Sequence, residues 1–220
     1  MRKQQTVVFD LDGTLIDSAP DLHVAANRLL AEEGLPPLAL AAIGRMVGEG
    51  VPRLVERIFA AVEIPLTEAA TAHYTARFRT IYLEAPCRLT RPMAEAHACL
   101  EALAAAGHPL AVCTNKPIAP TESILAELGP ADFFGAVVGG DSLEVRKPNP
   151  APLRLALDRL GASTGPALFV GDSETDLHTA RAAAIPIALV EGGYTRTPIR
   201  DLPADHHLAN LGEVPPLVRA

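Results

Sequence analysis

The feature that most constrains this chain is an alternation. Apolar runs of strand length at 6–9, 109–113, 135–138, 167–170 and 186–190 are each followed by polar or glycine-containing sequence. Helical patterns at 118–128, 151–160 and 175–184 stand between the later runs, which predicts βαβ units and an α/β fold built on a Rossmann-like parallel sheet. In such a sheet the residues that follow the strands collect along one edge, at the carboxyl ends. The first two runs are separated by roughly a hundred residues, whereas connections within such units need about 2–6. Leu22, Ala25, Ala26, Leu29 and Leu30 recur at helical spacing before Gly34 and Pro36, and helical stretches follow at 51–62 and 69–83. An all-helical cap is therefore expected between the first strand and the rest of the sheet. The expected division is core 1–16, cap 17–87 and core 88–220, with a helix at 93–106, ended by Gly107, leading back into the sheet.

Composition narrows the class. With 49% hydrophobic and 20% charged residues, the 220-residue chain has material for a core and no signature of disorder. A net charge of -7 opposes attraction to nucleic acid or to an anionic membrane, which makes a small molecule the expected partner. Cys87, Cys99 and Cys113 are odd in number and contain no C-x-x-C pair, so reduced thiols in the cytoplasm are expected rather than disulfides or structural zinc. The apolar stretch that follows Met1-Arg2-Lys3 is too short for an export signal or a membrane span. The sequence is compatible with a monomer or a homodimer.

Four of the segments that follow strands carry one chemical theme. The first is Asp10-Leu11-Asp12-Gly13-Thr14, where two carboxylates stand two residues apart before a turn glycine. The others are Thr114-Asn115-Lys116, Lys147-Pro148, and Gly171-Asp172-Ser173-Glu174-Thr175-Asp176. Together they suit phosphoryl transfer to a carboxylate, a reaction limited by charge repulsion and promoted by positioning and neutralisation. Asp10 is expected to attack phosphorus. Asp12 is expected to protonate the departing oxygen and later to deprotonate water. Asp172, Asp10 and a backbone carbonyl are expected to hold Mg²⁺, a hard ion that favours oxygen ligands. Thr114 and neighbouring N–H groups would grip the phosphoryl oxygens, and Lys147 would offset the massed negative charge.

These motifs, in this order, resemble those of the haloacid dehalogenase-like phosphatases and, within them, the phosphoglycolate phosphatases. The resemblance covers nearly the whole chain, with Asp10 to Ser18, Thr114 to Pro117, Lys147-Pro148 with Pro150, and Gly171 to Asp176 as the four motifs. It implies a Rossmann-like core, an inserted helical cap, Mg²⁺ dependence, and metal contact through the main-chain carbonyl of Asp12, with Asp176 supporting the site. Ser18-Ala19-Pro20-Asp21-Leu22, Val47-Gly48-Glu49-Gly50-Val51 and Gly139-Gly140-Asp141 are similar to the phosphoglycolate phosphatases, which implies 2-phosphoglycolate as substrate. Asn115 belongs to the expected phosphate-binding set. In the cap, Glu49, Gly50 and Arg53 are the candidates for substrate recognition, Arg53 by a bidentate pair with a carboxylate and Arg45 as its rival. The chain departs from the family at Ala184 and at Met93-Ala94-Glu95, where glycine-containing turns are usual, and 61–67 is short.

Other readings are weaker. A sugar-phosphate phosphatase or phosphomutase would use the same four motifs under a different cap, and a regulatory phospho-acceptor domain would have no need of Asp12. A calcium loop needs glycine six positions in, whereas Gly13 is fourth from Asp10. Gly161-Ala162-Ser163-Thr164-Gly165 follows a helix and precedes a strand, the reverse of a serine-hydrolase elbow. His206-His207 is read as a solvated or edge-strand pair.

Overall fold

The first apolar run is buried along its whole length, and its alternate side chains serve two different cores. In the computed structural model, which describes residues 4–218, the chain begins with β1 (Thr6–Phe9), β2 (Ile16–Asp17), α1 (Ala19–Glu32), α2 (Leu40–Gly44), α3 (Val51–Ala61) and α4 (Glu68–Leu83). It continues with β3 (Arg91–Pro92), α5 (Ala96–Ala105), β4 (Leu110–Cys113), α6 (Ile118–Leu128), β5 (Ala136–Val138), α7 (Ala151–Arg159), β6 (Ala167–Gly171), α8 (Glu174–Ala183), β7 (Ile187–Val190) and β8 (His206–Leu208). The Met1-Arg2-Lys3 start of the N-terminal segment lies outside the described residues.

Six strands form one sheet in the order β5-β4-β1-β6-β7-β8, and every neighbouring pair is parallel. Val7 and Phe9 join Leu110, Val112, Leu168 and Val170 on one face, under Leu100 and Leu103 of α5 and Ile124 of α6. Val8, Ala111, Cys113 and Phe169 occupy the other face with Leu153 and Leu157 of α7 and Leu177 of α8. Helices on both faces leave the central strands no wet side, which explains why they are apolar throughout rather than alternating. The chain runs outward from β1 to β4 and β5, then crosses to β6 on the other side of β1. That reversal leaves a crevice at the carboxyl ends of β1, β4 and β6.

The helices α1 to α4 have their own core. Leu29, Leu30, Ile43, Ile58, Phe59 and Phe78 are buried together there, and Phe59 stacks on Tyr74 with ring centroids 4.3 Å apart. Removing either phenylalanine ring would cost about 3–5 kcal/mol. The segment joins the sheet through a two-residue antiparallel pairing of β2 with β3, Ile16 opposite Pro92 and Asp17 opposite Arg91. The Asp21 carboxylate clasps the same crossing, accepting from Leu89 N, from Thr90 N at 2.8 Å and from Thr90 Oγ1 at 2.7 Å.

Several boundaries differ from the sequence expectation for local reasons. The α5 helix begins at Ala96 rather than 93 because Glu95 sits in the left-handed region at φ 63°, which cannot be a helical turn. Helix α2 spans five residues, too few to show a period. The two histidines at 206 and 207 lie in β8, the edge strand beside β7, and Gly161 to Gly165 form a loop between α7 and β6. Ala184 caps α8 in the left-handed conformation, φ 60° and ψ 41°, where a Cβ is unfavourable and glycine is the usual residue. We expect Ala184→Gly to stabilise the fold by about 0.5–1 kcal/mol, read as a higher urea midpoint at unchanged slope. A lower midpoint would show that the left-handed cap carries no strain.

Candidate active site

The crevice at the carboxyl ends of β1, β4 and β6 receives a concentration of buried charge. Asp10 directly follows β1, and its N–H donates to Val170 O of β6 at 2.9 Å, which fixes the start of the first motif against the neighbouring strand. Lys147 Nζ stands 2.9 Å from Asp10 Oδ1, an ion pair without hydrogen-bond alignment, and 2.7 Å from Asp176 Oδ1. Its side chain is 1% exposed, so it is not a solvated loop lysine. Asp12 takes a different partner: Lys116 Nζ donates to its Oδ1 at 3.0 Å, and Ser18 Oγ donates to the same oxygen at 2.5 Å. Two residues apart in sequence, the two carboxylates thus rest against separate lysines.

Asp172 directly follows β6 and is held from two sides, by Thr14 Oγ1 at 2.9 Å and by Tyr194 N at 2.6 Å. It fits only because its neighbours lack side chains. A Cβ on Gly193 would fall 2.3 Å from Asp172 Oδ2, and one on Gly13, at φ 87°, would fall 2.5 Å from the same atom. Asp176 completes a capping box with Ser173 at the start of α8. Its Oδ2 accepts from Ser173 Oγ at 2.7 Å and from the N–H groups of Asp172 and Ser173 at 3.2 Å. Capping and lysine pairing occupy both Asp176 oxygens, which makes it a brace for Asp172 and Lys147.

Burial works against these charges. It pushes the Asp10 carboxyl up to about 7, opposed by Lys147 and reinforced by Asp176. Burial, then the charges of Asp176 and Asp10, raises Asp172 well above the usual carboxylate range. Oxygens of Asp10, Asp172 and Asp176 lie within 4.8 Å of one another. One ammonium among three buried carboxylates leaves negative charge uncompensated, and a hard cation satisfies an all-oxygen donor set of this kind.

A cavity of about 250 Å³ opens above these groups, between the sheet edge and the helical segment. The sheet side contributes Asp10, Asp12, Thr114, Asn115 and Lys116; the helical side contributes Gly50, Leu54, Phe78, Arg79 and Tyr82. Thr114 follows β4 and is buried, with its Oγ1 accepting from Lys116 N at 3.2 Å. Asn115 Nδ2 donates at 3.0 Å both to Gly48 O, in the helical segment, and to Lys147 O, so it ties three site loops together.

The other cap candidates lie elsewhere. Arg53 is not at the cavity: its side chain is 63% exposed and paired with Glu56 on its own helix. Arg45 is likewise exposed and outside the lining, and Glu49 is engaged by Arg57 and Arg196. The cation that the helices do bring to the cavity is Arg79 on α4. Residues 78, 79 and 82 carried no motif, and the only local sign of a shared face is that Tyr82 stands one turn beyond Phe78 and Arg79 on α4. Cys113 is buried in β4 and its thiol is pushed up to about 12 by burial, which leaves no nucleophilic thiolate there.

The comparisons with known proteins agree with this geometry. The profile of the family described as haloacid dehalogenase-like hydrolase matches residues 4–184. A phosphoglycolate phosphatase of Cereibacter sphaeroides is 46% identical over 213 residues, 97% of each chain. One of Rhodospirillum rubrum is 48% identical over 204 residues, 91% of this chain and 85% of the relative. Among solved structures, one described as a predicted phosphoglycolate phosphatase from Haemophilus somnus superposes with a TM-score of 0.89 at 31% identity, over 99% of both chains. With its parallel sheet, its inserted helices and its buried aspartates at the switch point, the chain belongs to the haloacid dehalogenase-like hydrolases.

Proposed function

We propose that this protein is a Mg²⁺-dependent phosphatase that hydrolyses 2-phosphoglycolate to glycolate and phosphate through an aspartyl-phosphate on Asp10. The observation that carries the reading is the pair of aspartates facing one small cavity, each with its own lysine. An Asp10 oxygen attacks phosphorus as the bond to the glycolate oxygen breaks, and Asp12 delivers a proton to that departing oxygen. Asp12 then takes a proton from a water that attacks the acyl-phosphate, which releases phosphate and restores Asp10. The hydroxyl of Thr114 and adjacent N–H groups hold the phosphoryl oxygens, and Lys147 favours the anionic form of Asp10 against the burial that raises its carboxyl.

The Asp10 and Asp172 side chains, with the main-chain carbonyl of Asp12, are the residues we assign to the metal. When bound, Mg²⁺ supplies positive charge that offsets the repulsion between carboxylate and phosphate. We take residues 17–87 as the cap, whose apolar lining limits water around the reacting groups. The names of the relatives support 2-phosphoglycolate over a sugar phosphate, and a cavity of about 250 Å³ suits a small substrate. Among the described residues no helix is long and apolar enough to cross a membrane. The free, buried cysteines support a cytoplasmic setting.

Phosphate release from a panel of 2-phosphoglycolate, sugar phosphates, nucleoside monophosphates and p-nitrophenyl phosphate tests the reading. Preference for 2-phosphoglycolate is expected; preference for a sugar phosphate would replace the substrate, and a single labelling event without turnover would indicate a phospho-acceptor domain. Asp10→Asn is expected to remove turnover by at least about 10⁴-fold with an unchanged circular dichroism spectrum. Asp172→Asn is expected to raise the Mg²⁺ concentration for half-maximal activity; an unaltered requirement would remove Asp172 from the metal set. Lys147→Met is expected to destabilise the protein by about 3–5 kcal/mol, because it leaves buried carboxylates without their cation. An unchanged denaturation midpoint would contradict that assignment.

A further inference from the structure

Lys116 is spent on no task in the mechanism above. Its side chain is 3% exposed, yet it reaches the cavity wall. On one side its ammonium donates to Asp12, at 3.0 and 3.4 Å to the two oxygens. On the other, the Tyr82 ring from α4 lies 4.8 Å from Nζ, a cation–π contact between the sheet edge and the helical segment. Paired with the Asp12 carboxylate and seated against the Tyr82 ring, the ammonium enters the cavity as a fixed, desolvated positive charge with three N–H donors.

The position of that charge follows from its partners. Asp12 serves the departing oxygen, so whatever the substrate carries next to that oxygen lies close to Lys116. The backbone places Lys116 in register with the phosphoryl end as well, because its N–H donates to Thr114 Oγ1 at 3.2 Å while Gly140 N donates to its carbonyl at 2.8 Å. In 2-phosphoglycolate one methylene separates the departing oxygen from a carboxylate. The cavity has a second cation, Arg79, but Arg79 is exposed, and an exposed guanidinium gives a weaker ion pair than a buried ammonium.

We propose that Lys116 is the specificity-determining residue of the site, and that it receives a carboxylate attached one carbon from the departing oxygen while keeping one N–H on Asp12. This rests on the phosphatase reading above and names the group that selects the substrate. Tyr82 sets the far wall, so the ammonium is sheltered when the helical segment is in place and the carboxylate enters a site already desolvated. Phosphate esters whose alkyl group carries no charge leave the remaining N–H groups of Lys116 without a charged acceptor.

The test is calorimetry on the full chain with Mg²⁺, using two unreactive ligands. 3-Phosphonopropionate replaces the bridging oxygen of 2-phosphoglycolate by a methylene, and propylphosphonate lacks the carboxylate. The wild type is expected to prefer the first by roughly 10- to 100-fold, the size of a charge-assisted hydrogen bond. In Lys116→Met the preference is expected to fall below about threefold, while Arg79→Met retains it. Loss of preference in Arg79→Met with retention in Lys116→Met would transfer the role to Arg79 and overturn the proposal. Where Lys116→Met binds neither ligand, Lys116→Gln is measured; failure of both variants to bind propylphosphonate would show that Lys116 serves the phosphoryl end and would also overturn it. Equal affinity of the wild type for both ligands would refute the carboxylate substrate itself, a result separable from failure of the Lys116 assignment alone.

Discussion

The arrangement depends on one electrostatic fact: Asp10, Asp172 and Asp176 are buried together, and the ammonium of Lys147 pairs with Asp10 and Asp176 but not with Asp172. Carboxylates so placed are costly, and much of the local structure manages that cost. The capping box at Ser173 satisfies one Asp176 oxygen and leaves the other to Lys147. Gly13 and Gly193 clear space around Asp172, while Thr14 and Tyr194 supply its hydrogen bonds. The central position of β1 delivers Asp10 into this group with a backbone buttressed on both sides. Residual negative charge is then a property of the fold, and it supports the assignment of a divalent cation to this group of carboxylates.

Much of this was legible in the sequence. The apolar strand runs, the excess of chain between the first two, and the polar segments after strands specified the sheet, the inserted helices and the edge where the polar segments gather. The helical segment was read less well. Arg53 has the chemistry to bind a carboxylate, but Glu56 stands one turn away on the same helix and takes it. Arg79, Phe78 and Tyr82 reach the cavity because α4 packs against α1 and α3, a tertiary relation with no local signature. Short elements such as α2 and the β2–β3 pair were invisible because two to five residues cannot express a period. At Glu95 and Ala184 the left-handed geometry persists without glycine, which shows that neighbouring structure overrode local preference there.

The two aspartates of the first motif illustrate how one loop can separate two jobs. Asp10 faces Lys147 and the acidic group; Asp12 faces Lys116, Ser18 and the helical wall. Under the proposed mechanism, chemistry at phosphorus falls mainly to groups at the sheet edge, whereas the leaving-group side is shared with the helices. A change of helices would then alter what leaves more than how phosphorus is attacked.

The crossing at β2 and β3 has a consequence for the history of such chains. Ile16 and Asp17 pair with Pro92 and Arg91, and Asp21 clasps Leu89 and Thr90, so the chain departs from the sheet and returns to it at nearly one point. The entropy of closing a loop grows only logarithmically with its length. A hairpin stem with its ends already joined can thus carry a short loop or a four-helix unit at little difference in cost to the sheet. The stem acts as a socket: segments can be lengthened, shortened or exchanged there without moving Asp10 relative to Thr114 and Asp172.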